Sequence, residues 1–153
     1  ALTRAVKGFI IQFGTPGDPL WSTAHKGMFP SLKDDKQWMP IGPSCGNKVK
    51  FHQNKCKRHR KGFLSFAGGG ANSRRIEMFV SLADTGHGGP PHEVPFGRVL
   101  PRSFSVLDQL YTGYGEMQSF GGHAPPSGRI SKEGIDFLKS EYPLLDYITK
   151  CSR

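Results

Sequence analysis

Glycine and proline interrupt this sequence 20 and 12 times in 153 residues, and chain broken that often cannot sustain long helices. Many short elements joined by turns are what such punctuation specifies. The length suits one domain over 1–153, large enough to bury a core without a metal or a disulfide framework. The expectation is a mainly β fold with one or two short helices.

Local patterning places the elements. Thr3 to Phe13 (TRAVKGFIIQF) sets two apolar runs around Lys7 and Gly8, which predicts two short strands with a break between them. Gly14 to Asn47 scatters Trp21, Phe29, Trp38 and Met39 through polar and turn residues, the pattern of a surface excursion with little regular structure. Gly62 to Ala67 and Glu77 to Ala83 read as neighbouring core strands joined by a glycine-rich turn over Gly68 to Arg75. A Gly/Pro/His loop from Asp84 to Pro95 leads into a short strand, Phe96 to Leu100. Phe104, Leu107, Leu110, Tyr111 and Tyr114 recur at helical spacing, and Ser105 with Asp108 forms a capping-box pattern. After a turn-rich stretch from Gly115 to Ser127, Ile135, Leu138 and Tyr142 predict a second short helix ending before Pro143.

The net charge of +9 is concentrated. Lys48 to Lys61 (KVKFHQNKCKRHRK) carries seven Lys/Arg and no acid, leaving 14 basic against 12 acidic residues elsewhere. Residues 15–61 thus read as a long basic loop insertion, and 115–153 as a C-terminal extension. The basic stretch suits contact with RNA phosphates or an acidic protein surface, set against the plainer reading of a solvated loop. Cys45, Cys56 and Cys151 form an odd, widely spaced set, which favours a reducing intracellular compartment or organelle over a disulfide scaffold. No apolar run approaches the roughly 20 residues that cross a bilayer. Ala1 opens directly into patterned sequence with no signal core, which suggests a processed or incomplete chain.

Several chemistries fit poorly. Cys45, His52, Cys56 and His59 have the spacing C-x6-H-x3-C-x2-H, which matches no usual zinc finger, so no metal is expected. Gly68, Gly69 and Gly70 lack the lysine and following helix of a phosphate-binding loop. Ser65, His87 and Asp84 lack the strained turn that presents a hydrolase serine.

Three segments in order, TRAVKGFIIQFG, GFLSFAGGGANSRRIEMFVSL and EVPFGRV, resemble the cyclophilins, the β-barrel peptidyl-prolyl isomerases. GYGE at Gly113 to Glu116 and the following GRISKEGIDFLKSEYPLLDYI resemble the ending of a divergent cyclophilin-like subgroup. The resemblance implies an antiparallel β-barrel, incomplete at its N-terminal edge because the family's first two strands and first helix have no counterpart before Arg4. An open edge implies a fragment of a longer chain, or a larger assembly whose member covers it.

Position by position, the resemblance implies that Arg4 is the catalytic arginine, Phe9 and Ile10 are apolar pocket residues, and Gln12 holds the substrate backbone. Ala67 lies beside the bound peptide and Phe79 floors the proline pocket. Gly68 replaces the usual asparagine, Glu77 the usual glutamine, and Glu93 the usual pocket histidine, with His92 adjoining. Such a site takes a proline-containing polypeptide and needs no cofactor. An X-Pro amide resists rotation by about 18–20 kcal/mol, and a guanidinium that bonds the prolyl nitrogen as resonance is lost binds the twisted state more strongly than the ground state. Glu77 is also expected to pair with Arg4 and weaken turnover. The alternative is a non-catalytic cyclophilin-fold subunit of a larger protein or nucleoprotein assembly.

Overall fold

The computed structural model describes residues 1–25, 27–34, 59–84 and 91–152. Five strands, β1 (Leu2–Ala5), β2 (Ile10–Phe13), β3 (Phe63–Phe66), β4 (Met78–Ser81) and β5 (Pro95–Arg98), form one antiparallel sheet in the order β1-β2-β4-β3-β5. The sheet is open among the described residues. Most of 48–61, residues 85–90, and Cys45, His52, Cys56 and His87 lie outside them.

The β1–β2 hairpin turns at the predicted break. Phe9 N–H donates to the Val6 carbonyl at 3.0 Å, and Gly8, at φ 69°, takes the left-handed conformation the turn requires. Cross-strand partners then fall into two rows. Ala5, Ile11, Val80 and Leu64 are successive partners from β1 to β3, and so are Arg4, Gln12, Phe79 and Ser65. Because neighbours in register share a face, the first row points into a core with Leu82, Val99 and Leu107, while the second faces the opposite way. One face of the sheet packs the fold and the other presents Arg4, Gln12 and Phe79.

Among the described residues there are three α-helices, more than the one or two expected: α1 (Pro19–Ala24), α2 (Phe104–Gln109) and α3 (Ser127–Glu141). Helix α1 falls in the stretch predicted to be irregular. Asp18 caps it, accepting from Leu20 N–H at 2.9 Å and Trp21 N–H at 3.2 Å, and Pro19 supplies a preset first turn. Helix α2 stops at Gln109, five residues short of Tyr114, because Leu110 turns extended (ψ 138°). The expected capping box does not form; Asp108 meets the Lys61 ammonium instead.

Helix α3 starts well before Ile135. It breaks at Gly134, where φ 75° and ψ −155° leave the helical region, and its buried Ile130, Phe137 and Leu138 form a second core with Leu145. The open edge of β1 is met by the chain itself, since Leu2 N–H donates to the Asp146 carbonyl at 2.9 Å and Ala5 bridges to Gly115. No helix among the described residues is long and apolar enough to cross a membrane.

Candidate functional site

The row Arg4, Gln12, Phe79 opens onto a cavity of about 570 Å³. Nine of the ten residues singled out in the sequence line it: Arg4, Phe9, Ile10 and Gln12 from the first hairpin, Ala67, Gly68, Glu77 and Phe79 from around β3 and β4, and Glu93. His92 is the exception. It sits behind Gly68, where a Cβ would lie 2.8 Å from Ser73 Oγ and 3.1 Å from the His92 ring, so the two side chains together fill the space the absent side chain leaves.

A chain of hydrogen bonds fixes the polar wall. Arg4 Nη1 donates to Gln12 Oε1 at 3.0 Å, Gln12 Nε2 donates to Glu77 Oε2 at 2.7 Å, and Thr15 Oγ1 donates to the other Glu77 oxygen at 2.6 Å. Glu77 therefore orients the glutamine amide and does not pair with Arg4 as expected. The acid on Arg4 is Glu116: Nη2 donates to Oε2 at 2.7 Å, while Nε lies 2.6 Å from Oε1 as an ion-pair contact without hydrogen-bond geometry. Burial opposes charge on the Glu116 carboxyl, but the Arg4 hydrogen bond, the Met117 N–H at 2.7 Å and the Arg4 charge outweigh it and hold the group below its ordinary value. The guanidinium also stands 5.7 Å from the centre of the Phe9 ring. With one N–H of each terminal nitrogen committed, to Gln12 and to Glu116, one remains on each terminal nitrogen of Arg4.

The apolar floor is braced from below. Phe79, 4% exposed, stacks on His59 with ring centres 5.3 Å apart. His59 is fully buried, with Nδ1 2.9 Å from Ser81 Oγ and Nε2 3.0 Å from the Glu93 carbonyl and 3.4 Å from Ser65 Oγ. This histidine belongs to the basic stretch read as a solvated loop, yet its ring lies beneath the floor of the cavity. Ser65, set aside as a nucleophile, belongs to the same buried cluster. Among the described residues no group of three or more His, Cys, Asp or Glu side chains is placed to hold a metal ion.

Residue-by-residue reading missed Glu116, Met117, Arg75 and Ile76, all at this site. Only the quoted GYGE stretch hinted at Glu116, which lies 112 positions from its partner. A comparison with curated proteins found no match. Residues 1–131 match the family described as cyclophilin-type peptidyl-prolyl cis-trans isomerase/CLD, and the chain belongs to that family.

Proposed function

We propose that this domain binds proline-containing polypeptides and catalyses rotation about their X-Pro bonds, with turnover restrained by Glu116. The observation that carries the reading is the convergence of Arg4, Gln12 and Phe79 on one cavity from three adjacent strands. Phe9, Ile10 and Phe79 hold the pyrrolidine ring in apolar surroundings while Gln12, its amide fixed by Glu77, bonds the neighbouring carbonyl. Rotation about one bond is the freedom left. As that bond twists, the prolyl nitrogen regains its lone pair and accepts an N–H from Arg4, an interaction absent from the planar ground state. Glu116 presents the guanidinium edge-on and offsets part of its charge, which aims the donors and weakens each of them.

Exchange spectroscopy on a short Ala-Pro peptide tests this. Wild type is expected to accelerate cis/trans exchange, and Arg4→Ala to lose about 10²-fold of that rate, the usual cost of one preorganised donor. An Arg4→Ala protein as fast as wild type would sink the assignment. Peptide binding without acceleration in the wild type would favour the non-catalytic subunit.

A further inference from the structure

A second cleft of about 350 Å³ adjoins the proline cavity, and Arg75 and Ile76 line both. Its other wall is aromatic: Trp21 on α1 stacks against His25 at 4.3 Å and against Phe29 at 5.7 Å. Trp21 is 37% and Phe29 42% exposed, so the ladder lies open to an incoming side chain. At the junction Arg75 is exposed and donates from Nε to Ser31 Oγ at 3.3 Å, with no carboxylate partner among the described residues. Arg4, at the other end of the groove, is matched to Glu116. The two terminal nitrogens of Arg75 therefore offer a planar fork of donors shaped for a carboxylate.

The geometry points to a single extended groove in which the polypeptide seated at the proline cavity continues past Arg75, placing an acidic side chain on that guanidinium and an aromatic one in the Trp21 cleft. This rests on the proposed function and narrows its ligand to an acidic, aromatic proline peptide. Charge complementarity selects the acid. The flat indole and phenyl faces select a ring, since offset and edge-on contacts favour aromatic partners over aliphatic ones. The cleft belongs to the same ligand because Arg75 and Ile76 form a wall common to both spaces.

Fluorescence anisotropy with labelled peptides tests the assignment. One peptide carries proline among alanines; others add Asp and Phe, or Lys and Phe, on either side of the proline; a last one carries Asp and Phe with the proline replaced. Wild type is expected to bind one of the Asp–Phe orders roughly tenfold more tightly than the alanine peptide, the scale of one charged hydrogen-bonded contact. Arg75→Glu, a surface change, is expected to reverse the preference toward Lys–Phe. Trp21→Ala, with Trp21→Leu as a second variant and a thermal melt as a check on folding, is expected to bring the Phe contribution to about onefold. Equal affinity for the alanine, Asp–Phe and Lys–Phe peptides would overturn the extended groove while leaving the proline site standing. Undiminished binding of the proline-free peptide would overturn it too, by making the cleft independent. If no proline peptide binds, both readings fall.

Discussion

The sheet that carries the cavity buries modest side chains, Ala5, Ile11 and Val80, in a ladder where each row is fixed by strand register. The layer beyond it buries Ile130, Phe137, Leu138 and Leu145 and adds a run of edge-on rings, with Tyr114 and Phe137 each meeting Tyr142, at 5.1 and 5.5 Å. The first region lies within the family match over 1–131, whereas Phe137, Leu138 and Leu145 lie past it. The two are nonetheless mechanically joined, because Ala1 packs on the second core and Leu2 bonds Asp146, so the strand bearing Arg4 is held along its outer edge by the stretch outside the match. What a family pattern specifies and what steadies its key residue are separable properties.

The sharpest way to break that comparison is to remove 132–153. Losing three large buried side chains, at roughly 2–5 kcal/mol each, is comparable to the whole of the roughly 5–15 kcal/mol that typically separates folded from unfolded states. The shortened chain is expected to give collapsed amide dispersion in NMR; a native-like spectrum would show that the sheet stands alone. A subtler cut is Gly134→Ala. Gly134 has φ 75°, and a Cβ there would lie 2.8 Å from Pro19 Cδ and 2.9 Å from the Gly17 carbonyl oxygen. The expected loss is about 1–3 kcal/mol in denaturant titration, and with it a displaced α1; an unchanged midpoint would mean the two helices are only loosely docked.

The smallest effect is electrostatic. Because the Glu116 carboxyl sits below its ordinary value of 4.5 when folded, its pair with Arg4 contributes stability above that pH and loses it as pH falls through the folded value. Glu116→Gln is expected to remove that acid-side slope by less than the other two changes, and to raise the isomerisation rate at neutral pH if restraint of the guanidinium outweighs its aim. An identical pH profile for the variant would show that the pair carries no linkage.

How much of this was readable beforehand follows from the range of each interaction. Strands declare themselves as short apolar runs bounded by glycine and turn residues, a signal held within a few adjacent positions. Helix α2 is shorter than its pattern implies because Leu110 and Tyr114 keep helical spacing while packing against two different cores. Helix α1 is masked by a stretch otherwise rich in turns, although Asp18 and Pro19 spell its start. His59 took on the character of its charged neighbours, and only the fold reveals that it underlies Phe79. The pairing of Arg4 with Glu116 joins distant positions through topology, which no window along the chain can contain.

The alternation of rows across β1, β2 and β4 has a consequence for how the protein reaches its native state. If β2 slid by one position against β4, Gln12 would be driven into the core and Ile11 turned toward solvent. An amide forced inside without partners is costly to bury, so the polar line of Arg4 and Gln12 also penalises wrong alignment during assembly. The face that opens onto the cavity serves as the sheet's own proofreader.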